Sequence, residues 1–209
     1  MCQGEKSVED VAKQAQLDVK NASAQLKVLH EARLVTGRRQ GKRVFYSIAD
    51  PMVIEYWLST RSMAERRFAE IERTAKCFFQ TPETMIPLDR QTLLGKARRG
   101  QVIVLDVRPR SEYEEAHLPH ARSIPLAELE QRLASLPRSK EIVAYCRGPY
   151  CVLSSEAPKV LKRRGYRPVR LSDGVLEWQA AGLPVVRERS QKGNGFDDAV
   201  YSQRPAVRN

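Results

Sequence analysis

Two cysteines in the second half of the chain carry the clearest chemical pattern, in the order EIVAYC-RGPYC-VLSSEA. Cys146 ends an apolar run typical of a buried strand, and a helical pattern begins after Cys151. A cysteine between a strand end and a helix start faces unpaired backbone amides and the positive end of the helix, so we expect the pKa of the Cys146 thiol to fall. Arg147 adds positive charge, and Gly148 lets the backbone curve into a ring of N–H donors that can hold a sulfur anion. We call residues 146–151 the thiol loop.

The thiol loop suits sulfur transfer. A thiolate attacks the outer sulfur of a donor such as thiosulfate, and the same amides stabilise the persulfide that forms, with no metal or organic cofactor. Two other interpretations stay open: a buried structural cysteine, or a Cys-x4-Cys pair that forms a zinc half-site or a disulfide. Zinc is disfavoured because no second Cys or His pair stands at ligand spacing, and His117 and His120 are better explained as loop residues.

The length and composition are those of a protein with two modest domains: 209 residues, of which 42% are hydrophobic and 7% aromatic. Four cysteines are too few for a disulfide framework, which favours thiol chemistry or burial over structural bridging. No stretch approaches the roughly 20 apolar residues of a membrane span, and the start MCQGEKSVED has no signal-peptide pattern. We therefore expect a cytoplasmic protein without a membrane partner.

Positive charge is concentrated in one segment of a chain whose net charge is +11. Between Lys20 and Arg43 there are seven basic residues against one acid, Glu31. This local excess indicates a candidate phosphate-binding surface.

The same segment lies within a pattern of short helices and a hairpin. Ser7 and Asp18 can cap two helices that are separated by a tight turn near Leu17. After Ala32, VTGRR and VFYSI predict a hairpin with a basic tip at residues 40–43. A long amphipathic helix is predicted from Pro51 to roughly residue 79, and such a helix after a small domain often serves dimerisation.

From Asp89 onward, helical segments alternate with the apolar strands VIVLDV, EIVAYC and RPVRL. Continuous apolar strands between helices predict a parallel sheet with both faces covered. The polar tail after Val186 is expected to be disordered.

Three motifs in this second half resemble those of single-domain rhodaneses, over residues 86 to about 186. LDVRPRSEYEEAHLPHARSIPL resembles the first motif of the family, YCRGPYC its active-site loop, and DGVLEWQAAGLPV its C-terminal motif. The resemblance implies a rhodanese α/β fold and Cys146 as the nucleophile that forms a persulfide. It also implies supporting positions for Asp106 and Arg108 and a core position for Trp178. The sulfur-binding cradle would consist of Arg147, Gly148, Pro149, Tyr150 and Cys151.

The length of the loop narrows the chemistry that the resemblance implies. Phosphatase-like relatives of this fold use a seven-residue loop that closes on Arg, whereas the sixth position here is Cys151 and the seventh is Val152. Phosphate-ester chemistry is therefore disfavoured. Many rhodaneses that use thiosulfate carry Arg at the sixth position, so Cys151 argues against efficient turnover of thiosulfate. Cys151 is either structural or resolves a persulfide or sulfenate of Cys146 into a disulfide.

The segment from residue 4 to about 50 resembles the winged helix-turn-helix module of ArsR-family repressors, although it starts where the family's second helix is already under way. By this resemblance, the second helix of the helix-turn-helix, which reads DNA, would present Lys20, Asn21, Ala24 and Gln25. The wing would carry Arg38, Arg39, Lys42 and Arg43. The cysteine pair of the metal-sensing members is absent, with Val8 and Glu9 in that region, so no metal is expected.

The sequence thus predicts two domains: an α+β winged helix-turn-helix at residues 1–80, then an α/β rhodanese-like domain with a central parallel sheet at residues 86–187, followed by a tail at residues 188–209. The expected partners are double-stranded DNA, a second copy of the chain, a sulfane-sulfur donor, and a thiol or cyanide acceptor. A regulator whose rhodanese domain senses reactive sulfur without turnover is the alternative.

Overall fold

The computed structural model describes residues 4–68, 70 and 89–188. The chain divides into two compact units, residues 1–78 and 79–209. The expected junction at residues 80–86 and nearly all of the expected tail lie outside the described residues, as do Cys2 and Cys77.

The described part of the first unit contains three strands and three helices. They are β1 (Lys6–Ser7), α1 (Val8–Ala15), α2 (Val19–Glu31), β2 (Val35–Gln40), β3 (Arg43–Ile48) and α3 (Pro51–Arg67). Each helix begins at a polar cap: Ser7 accepts from the backbone N–H of Asp10, Asp18 from Asn21 and Asp50 from Met52. The two caps predicted from the sequence are confirmed.

Packing of α1 against α2 leaves one face of α2 open to solvent. Ala12, Ala22, Leu26 and Val35 are buried between the helices and the sheet. The face of α2 expected to read DNA is exposed at all four of its positions, Lys20, Asn21, Ala24 and Gln25.

The hairpin of β2 and β3 is antiparallel and ends in a two-residue turn. Its register runs from Val35 opposite Ile48 to Gln40 opposite Arg43, and β1 adds on the other side of β3. Gly41 has φ +62°, a left-handed conformation that glycine adopts without a steric cost. The predicted basic tip is therefore present, with Gln40 and Arg43 as its last paired residues.

Helix α3 is shorter than the sequence predicts. The prediction ran to about residue 79, but α3 ends at Arg67, because Phe68 has extended backbone angles (φ −115°, ψ 97°). The rest of the predicted helix lies almost wholly outside the described residues. No residue of α3 is buried within the unit, and Trp57 is 53% exposed.

The second unit alternates helices and strands. Its elements are α4 (Arg90–Arg98), β4 (Val102–Asp106), α5 (Arg110–Glu115), β5 (Arg122–Ser123), α6 (Leu126–Arg132), a short 3-10 helix (Leu133–Ser135), β6 (Glu141–Tyr145), α7 (Val152–Arg163), β7 (Arg167–Arg170) and α8 (Val175–Ala180). The four strands are parallel and lie in the order β5-β4-β6-β7, which confirms the predicted parallel sheet.

Both faces of this sheet are covered, so its central strands are apolar throughout. Along β6, Ile142 and Ala144 pack into one hydrophobic cluster, and Val143 and Tyr145 into the other with Trp178. Alternate residues of a strand point to opposite faces, which explains the continuous apolar run. None of the helices in the described part of the chain combines the length and the hydropathy of a membrane-spanning helix.

Candidate functional site

The thiol loop connects the carboxyl end of β6 to the start of α7, as the sequence predicts. Cys146 follows directly on Tyr145, the last residue of β6, and is 1% exposed. Cys151 occupies the N-cap position of α7, without a capping hydrogen bond from its side chain, and is only partly buried. Tyr150, beside it, is 37% exposed. The loop therefore has a buried cysteine at its start and a more accessible one at its end.

Cys146 and Cys151 are joined by a disulfide, with their Cα atoms 6.3 Å apart. The cysteine count favoured thiol chemistry or burial over structural bridging, but the disulfide that stood as an open alternative for this pair is the arrangement in the structure. The cysteine count argues against a set of bridges that holds a fold together. It does not address a bond between two residues of one short loop, whose Cα separation lies in the range that disulfides span.

The backbone of the thiol loop turns at Gly148. Its φ is +136°, which L side chains rarely adopt, and the N–H of Cys151 donates to its carbonyl over 3.2 Å. A Cβ at this position would lie 3.0 Å from Oε1 of Glu177. Oε2 of Glu177 in turn accepts from the N–H of Gly174, so the carboxylate spans from the turn to the start of α8.

Arg147 is committed to a neighbour rather than directed at the loop. Its Nη2 lies 2.7 Å from Oε1 of Glu112, and its Nε donates to Oε2 over 3.0 Å. Glu112 lies on α5 and is 1% exposed. Glu112 therefore offsets part of the positive charge that Arg147 is expected to bring to the loop. Sequence reasoning missed Glu112 because the segment SEYEEAH has three glutamates that it could not tell apart.

Arg170 is a second residue that the sequence analysis missed. It ends β7, is 3% exposed, and donates from Nη2 to the carbonyl of Pro149 over 2.5 Å. Burial lowers the pKa of Arg170 from its ordinary value. The available signal was an arginine at the carboxyl end of a strand whose neighbours are apolar, because such a charge is retained only where it has a partner.

Gly174 packs directly on the first residues of the thiol loop. A Cβ there would meet the backbone carbon of Arg147 at 2.6 Å and the carbonyl oxygen of Cys146 at 2.8 Å. Both contacts are backbone atoms, which cannot swing aside as a side chain can. Gly174 therefore fixes how close α8 comes to Cys146.

Asp106 ends β4, the strand beside β6, and Arg108 follows two residues later. Arg108 donates from Nε to Oδ1 and from Nη2 to Oδ2 of Asp106, over 2.9 and 2.6 Å. The hydroxyl of Tyr145 donates to Oδ2 over 2.5 Å and accepts from the N–H of Leu118. All of these side chains are buried. The predicted pair thus forms a network that holds the ends of β4 and β6 together immediately before Cys146.

Burial and neighbouring charges together set the pKa values of Arg108 and Tyr145 in this network. Burial alone lowers the pKa of Arg108, but the hydrogen bond and the charge of Asp106 raise it above its ordinary value. The pKa of Tyr145 is raised well above its ordinary value, first by burial and then by the negative charge of Asp106. Tyr145 therefore stays protonated and keeps its donor for Asp106.

In the first unit, the four predicted cations of the hairpin are exposed, but Arg38 has a partner. Its Nη2 lies 2.7 Å from Oε2 of Glu5, and its guanidinium stands 5.5 Å from the centre of the Phe45 ring. The hydrogen bond and the charge of Glu5 raise the pKa of Arg38. The charge count from the sequence missed Glu5 because it covered only residues 20–43.

Arg39, Lys42 and Arg43 remain as the basic tip. Arg39 follows Arg38 in the strand, so its side chain points to the opposite face of the hairpin, and its Nε donates to the carbonyl of Gly41 over 3.2 Å. Arg39 therefore presents its charge on the face away from Glu5, whereas Arg43, opposite Gln40, lies on the face of Arg38. In the described part of the chain, no group of three or more His, Cys, Asp or Glu side chains is arranged to hold a metal ion.

Comparison with known proteins identifies relatives of both units. The family model of the rhodanese-like domain matches residues 89–181. The HTH-type transcriptional regulator Rv0324 of Mycobacterium tuberculosis is 40% identical over 185 residues, which cover 88% of this chain and 81% of that protein. A sulfurtransferase of Allochromatium vinosum is 30% identical over 101 residues, 47% of this chain and 92% of the relative. A rhodanese-related protein of Thermoplasma volcanium, known from its crystal structure, is 26% identical with a TM-score of 0.43, covering 49% of this chain and 97% of that one.

Proposed function

Since this chain belongs to the family of the mycobacterial HTH-type transcriptional regulator and carries a rhodanese-like domain, we propose that it is a DNA-binding regulator of the ArsR type in which Cys146 takes up sulfur as a persulfide. The Cys146 thiolate attacks the outer sulfur of a sulfane donor, and the bond between the two donor sulfurs breaks. With thiosulfate, sulfite leaves. A thiol or cyanide then removes the outer sulfur from the persulfide.

The observation that carries the sulfurtransferase proposal is the position of Cys146. It ends the central strand β6 at the mouth of α7, in a loop of six residues from Cys146 to Cys151. The carboxyl ends of parallel strands are where α/β folds bind their ligands, and loop amides at a helix start stabilise an anion. The loop is shorter than the seven residues that phosphatase-like relatives use, which favours sulfur over phosphate.

Thiocyanate formation from cyanide and a sulfane donor tests this proposal. We expect activity from the reduced protein and a fall to background in Cys146→Ala. Cys77→Ser is the matched control, because it removes a thiol outside the loop and should leave the activity unchanged. Background activity of both the reduced wild type and Cys151→Ser, with thiosulfate and with glutathione persulfide, would overturn the enzymatic proposal.

The DNA-binding proposal is supported by the order of elements in the first unit. Two capped helices are followed by a hairpin with a basic tip, and the exposed face of α2 carries Lys20, Asn21, Ala24 and Gln25. In a winged helix, the second of these helices enters the major groove and the hairpin contacts phosphates. The candidate phosphate contacts are Arg39, Lys42 and Arg43, together with Arg38 when Glu5 releases it.

A gel-shift with the upstream region of the protein's own gene tests the DNA-binding proposal. Changing Arg39, Lys42 and Arg43 to Ala should weaken binding and reduce its salt dependence by about one unit for each phosphate that is no longer neutralised. Changing Arg98, Lys140 and Arg163 to Ala is the matched control, because it removes three exposed charges from the other unit. Equal affinity of the triple variant and the wild type would remove the wing assignment.

Helix α3 supports a homodimer as the DNA-binding form. Met52, Tyr56, Trp57 and Met63 are between 53% and 71% exposed, an unusual apolar content for a helix surface in solvent. A second copy that packs on this face would cover them. Sedimentation velocity should give a dimer for the wild type and a monomer for Trp57→Glu, and a wild-type monomer at micromolar concentration would contradict this. A regulator of this kind acts in the cytoplasm, where bacterial DNA lies.

One observation favours the alternative of a sensor without turnover, namely the bond between Cys146 and Cys151. A loop whose two cysteines form a disulfide can respond to reactive sulfur by a change of redox state, without transferring sulfur to an acceptor. If this alternative holds, DNA affinity changes between the reduced and the sulfur-treated protein while thiocyanate formation stays at background. Measuring both on the same preparation separates the two functions.

A further inference from the structure

The thiol loop pairs the nucleophile that the proposed function assigns with a second sulfur at the loop's other end. The Cα atoms of Cys146 and Cys151 are 6.3 Å apart, and their sulfur atoms are bonded. From this pairing, and resting on the proposed function, we infer that Cys151 resolves the Cys146 persulfide and releases its outer sulfur as hydrogen sulfide. The domain would thus be a dithiol reductase of sulfane sulfur as well as a carrier.

The atoms and electrons of this step balance within the loop. The Cys151 thiolate attacks Sγ of Cys146, and a bond forms between the two protein sulfurs. The bond from Cys146 to the outer sulfur breaks, and the outer sulfur leaves with the electron pair and takes up a proton as HS⁻. The two cysteines are oxidised to the disulfide while the sulfane sulfur is reduced to sulfide. An external dithiol then reduces the disulfide by two exchange reactions and returns the loop to its starting state.

The geometry selects the inner sulfur as the point of attack. In the structure, the partner of Cys151 is Sγ of Cys146 itself, which is the atom that must be attacked for sulfide to leave. Attack on the outer sulfur would instead move the persulfide to Cys151 and leave no bond between the two residues. A bond between Cys146 and Cys151, as the structure has it, is the product expected of the first route and not of the second.

The loop reaches this arrangement through contacts that do not involve the disulfide. Arg170 holds the carbonyl of Pro149, the N–H of Cys151 closes the turn on Gly148, and Gly174 packs on the backbone at Cys146. A disulfide across so short a loop also removes less chain entropy from the unfolded state than one that closes a long loop. These contacts support the loop beside the bond, so we expect the bond to open and close in a reaction while the loop keeps its shape.

Accessibility gives the two cysteines different tasks in such a cycle. Cys146 is 1% exposed in the closed loop, so its sulfur is shielded from solvent. Cys151 is more open and is the sulfur that an external dithiol can reach. Attack there releases Cys146 as the thiolate, which is the form that accepts the next sulfur.

A single-turnover experiment on the full-length chain tests the inference. In a Cys2→Ser/Cys77→Ser background, Cys146 and Cys151 are the only thiols among the four cysteines. The protein is reduced, freed of reductant without oxygen, and given one equivalent of glutathione persulfide or thiosulfate. Sulfide is then measured, and the loop peptide is weighed by mass spectrometry.

We expect the chain with both loop cysteines to release about one sulfide per chain and to end as the Cys146–Cys151 disulfide. Cys151→Ser should keep the sulfur as a persulfide on Cys146 and release sulfide only when an external thiol is added. Serine suits the helix-capping position of residue 151, so α7 should remain intact, and Cys151→Ala serves as a second variant with the same expectation.

The outcomes separate this inference from the function on which it rests. A persulfide that persists in the chain with both loop cysteines, or that moves to Cys151 without sulfide release, would overturn the inference and leave the persulfide chemistry of Cys146 standing. If Cys151→Ser and Cys151→Ala take up no sulfur from either donor, both the inference and the proposed function fail.

Discussion

Gly174 is the position where a single added methyl group should disturb Cys146 most directly. In Gly174→Ala, the new Cβ would lie 2.6 Å from the backbone carbon of Arg147, 2.7 Å from its oxygen and 2.8 Å from the oxygen of Cys146. The shortest of these is about 0.8 Å inside the 3.4 Å at which ordinary contact begins. Because all three atoms are backbone, either the thiol loop or the start of α8 must move.

The size of the effect follows from this overlap. Forcing an extra methyl group into a packed site costs typically about 1–3 kcal/mol of folding free energy. A displacement of about 1 Å at a reacting group lowers rates by up to about 100-fold. We therefore expect thiocyanate formation to fall by about 10- to 100-fold in Gly174→Ala, and the free energy of unfolding of the rhodanese-like unit to fall by about 1–3 kcal/mol.

Urea unfolding followed by tryptophan fluorescence measures the stability term. The chain has two tryptophans, and in a Trp57→Phe background the buried Trp178 reports on the rhodanese-like unit alone. Gly95→Ala is the matched control, because its Cβ would meet only the flexible guanidinium of Arg99 at 3.5 Å. Alanine within α4 should stabilise this helix by about 1 kcal/mol and leave the activity unchanged.

The reasoning would be refuted if Gly174→Ala matched the wild type in both activity and stability. A loss of stability equal to that expected, with full activity, would show that α8 yields instead of the loop. In that case Gly174 would not set the position of Cys146.

Three further expectations follow from the buried network and the hairpin. Tyr145→Phe removes the donor to Asp106 and should lower the free energy of unfolding by about 2–4 kcal/mol in urea titrations, because buried groups lose their partner. Because the pKa of Tyr145 is raised in the folded state, its stabilising contribution is present below its unfolded pKa of about 10 and is lost as pH rises toward the folded pKa. Stability measured above pH of about 10 should therefore fall more steeply in the wild type than in Tyr145→Phe, and parallel profiles would contradict this. On the hairpin, Glu5→Gln frees Arg38 and should steepen the salt dependence of DNA binding by about one unit, whereas Arg39→Ala should reduce it by about one unit. Fluorescence anisotropy at several salt concentrations measures both slopes. Unchanged slopes would exclude these phosphate contacts.

The features that the sequence predicts correctly are those set by neighbouring residues. Ser7 and Asp18 cap their helices because a capping side chain reaches only two or three residues ahead. The parallel sheet follows from apolar runs between helices, and the position of Cys146 at the end of β6 follows from where one such run stops.

The features that the sequence does not predict join residues that are distant along the chain. Glu112 and Arg147 are 35 residues apart, and Glu5 and Arg38 are 33 apart, so no local pattern connects either pair. Arg170 reaches Pro149 because β7 lies beside β6 in the sheet. Each of these contacts depends on the order of strands in a sheet or on how a hairpin folds. The spacing of residues along the sequence reveals neither.

The end of α3 was mispredicted for a different reason. The amphipathic pattern continues past Arg67, but the helix stops there because Phe68 is extended. A helix that buries none of its residues within its own unit gains little from tertiary packing, and such packing is what usually decides how far a helix extends.

The mass of the peptide that carries Cys146 tests the central claim most directly, after treatment of Cys151→Ser with a sulfane donor under conditions that preserve persulfides. We predict one added sulfur atom on Cys146 and none on the same peptide of Cys146→Ala. If no sulfur is found on Cys146 with either glutathione persulfide or thiosulfate, or if it is found on Cys2 or Cys77 instead, Cys146 is not the residue that accepts sulfur.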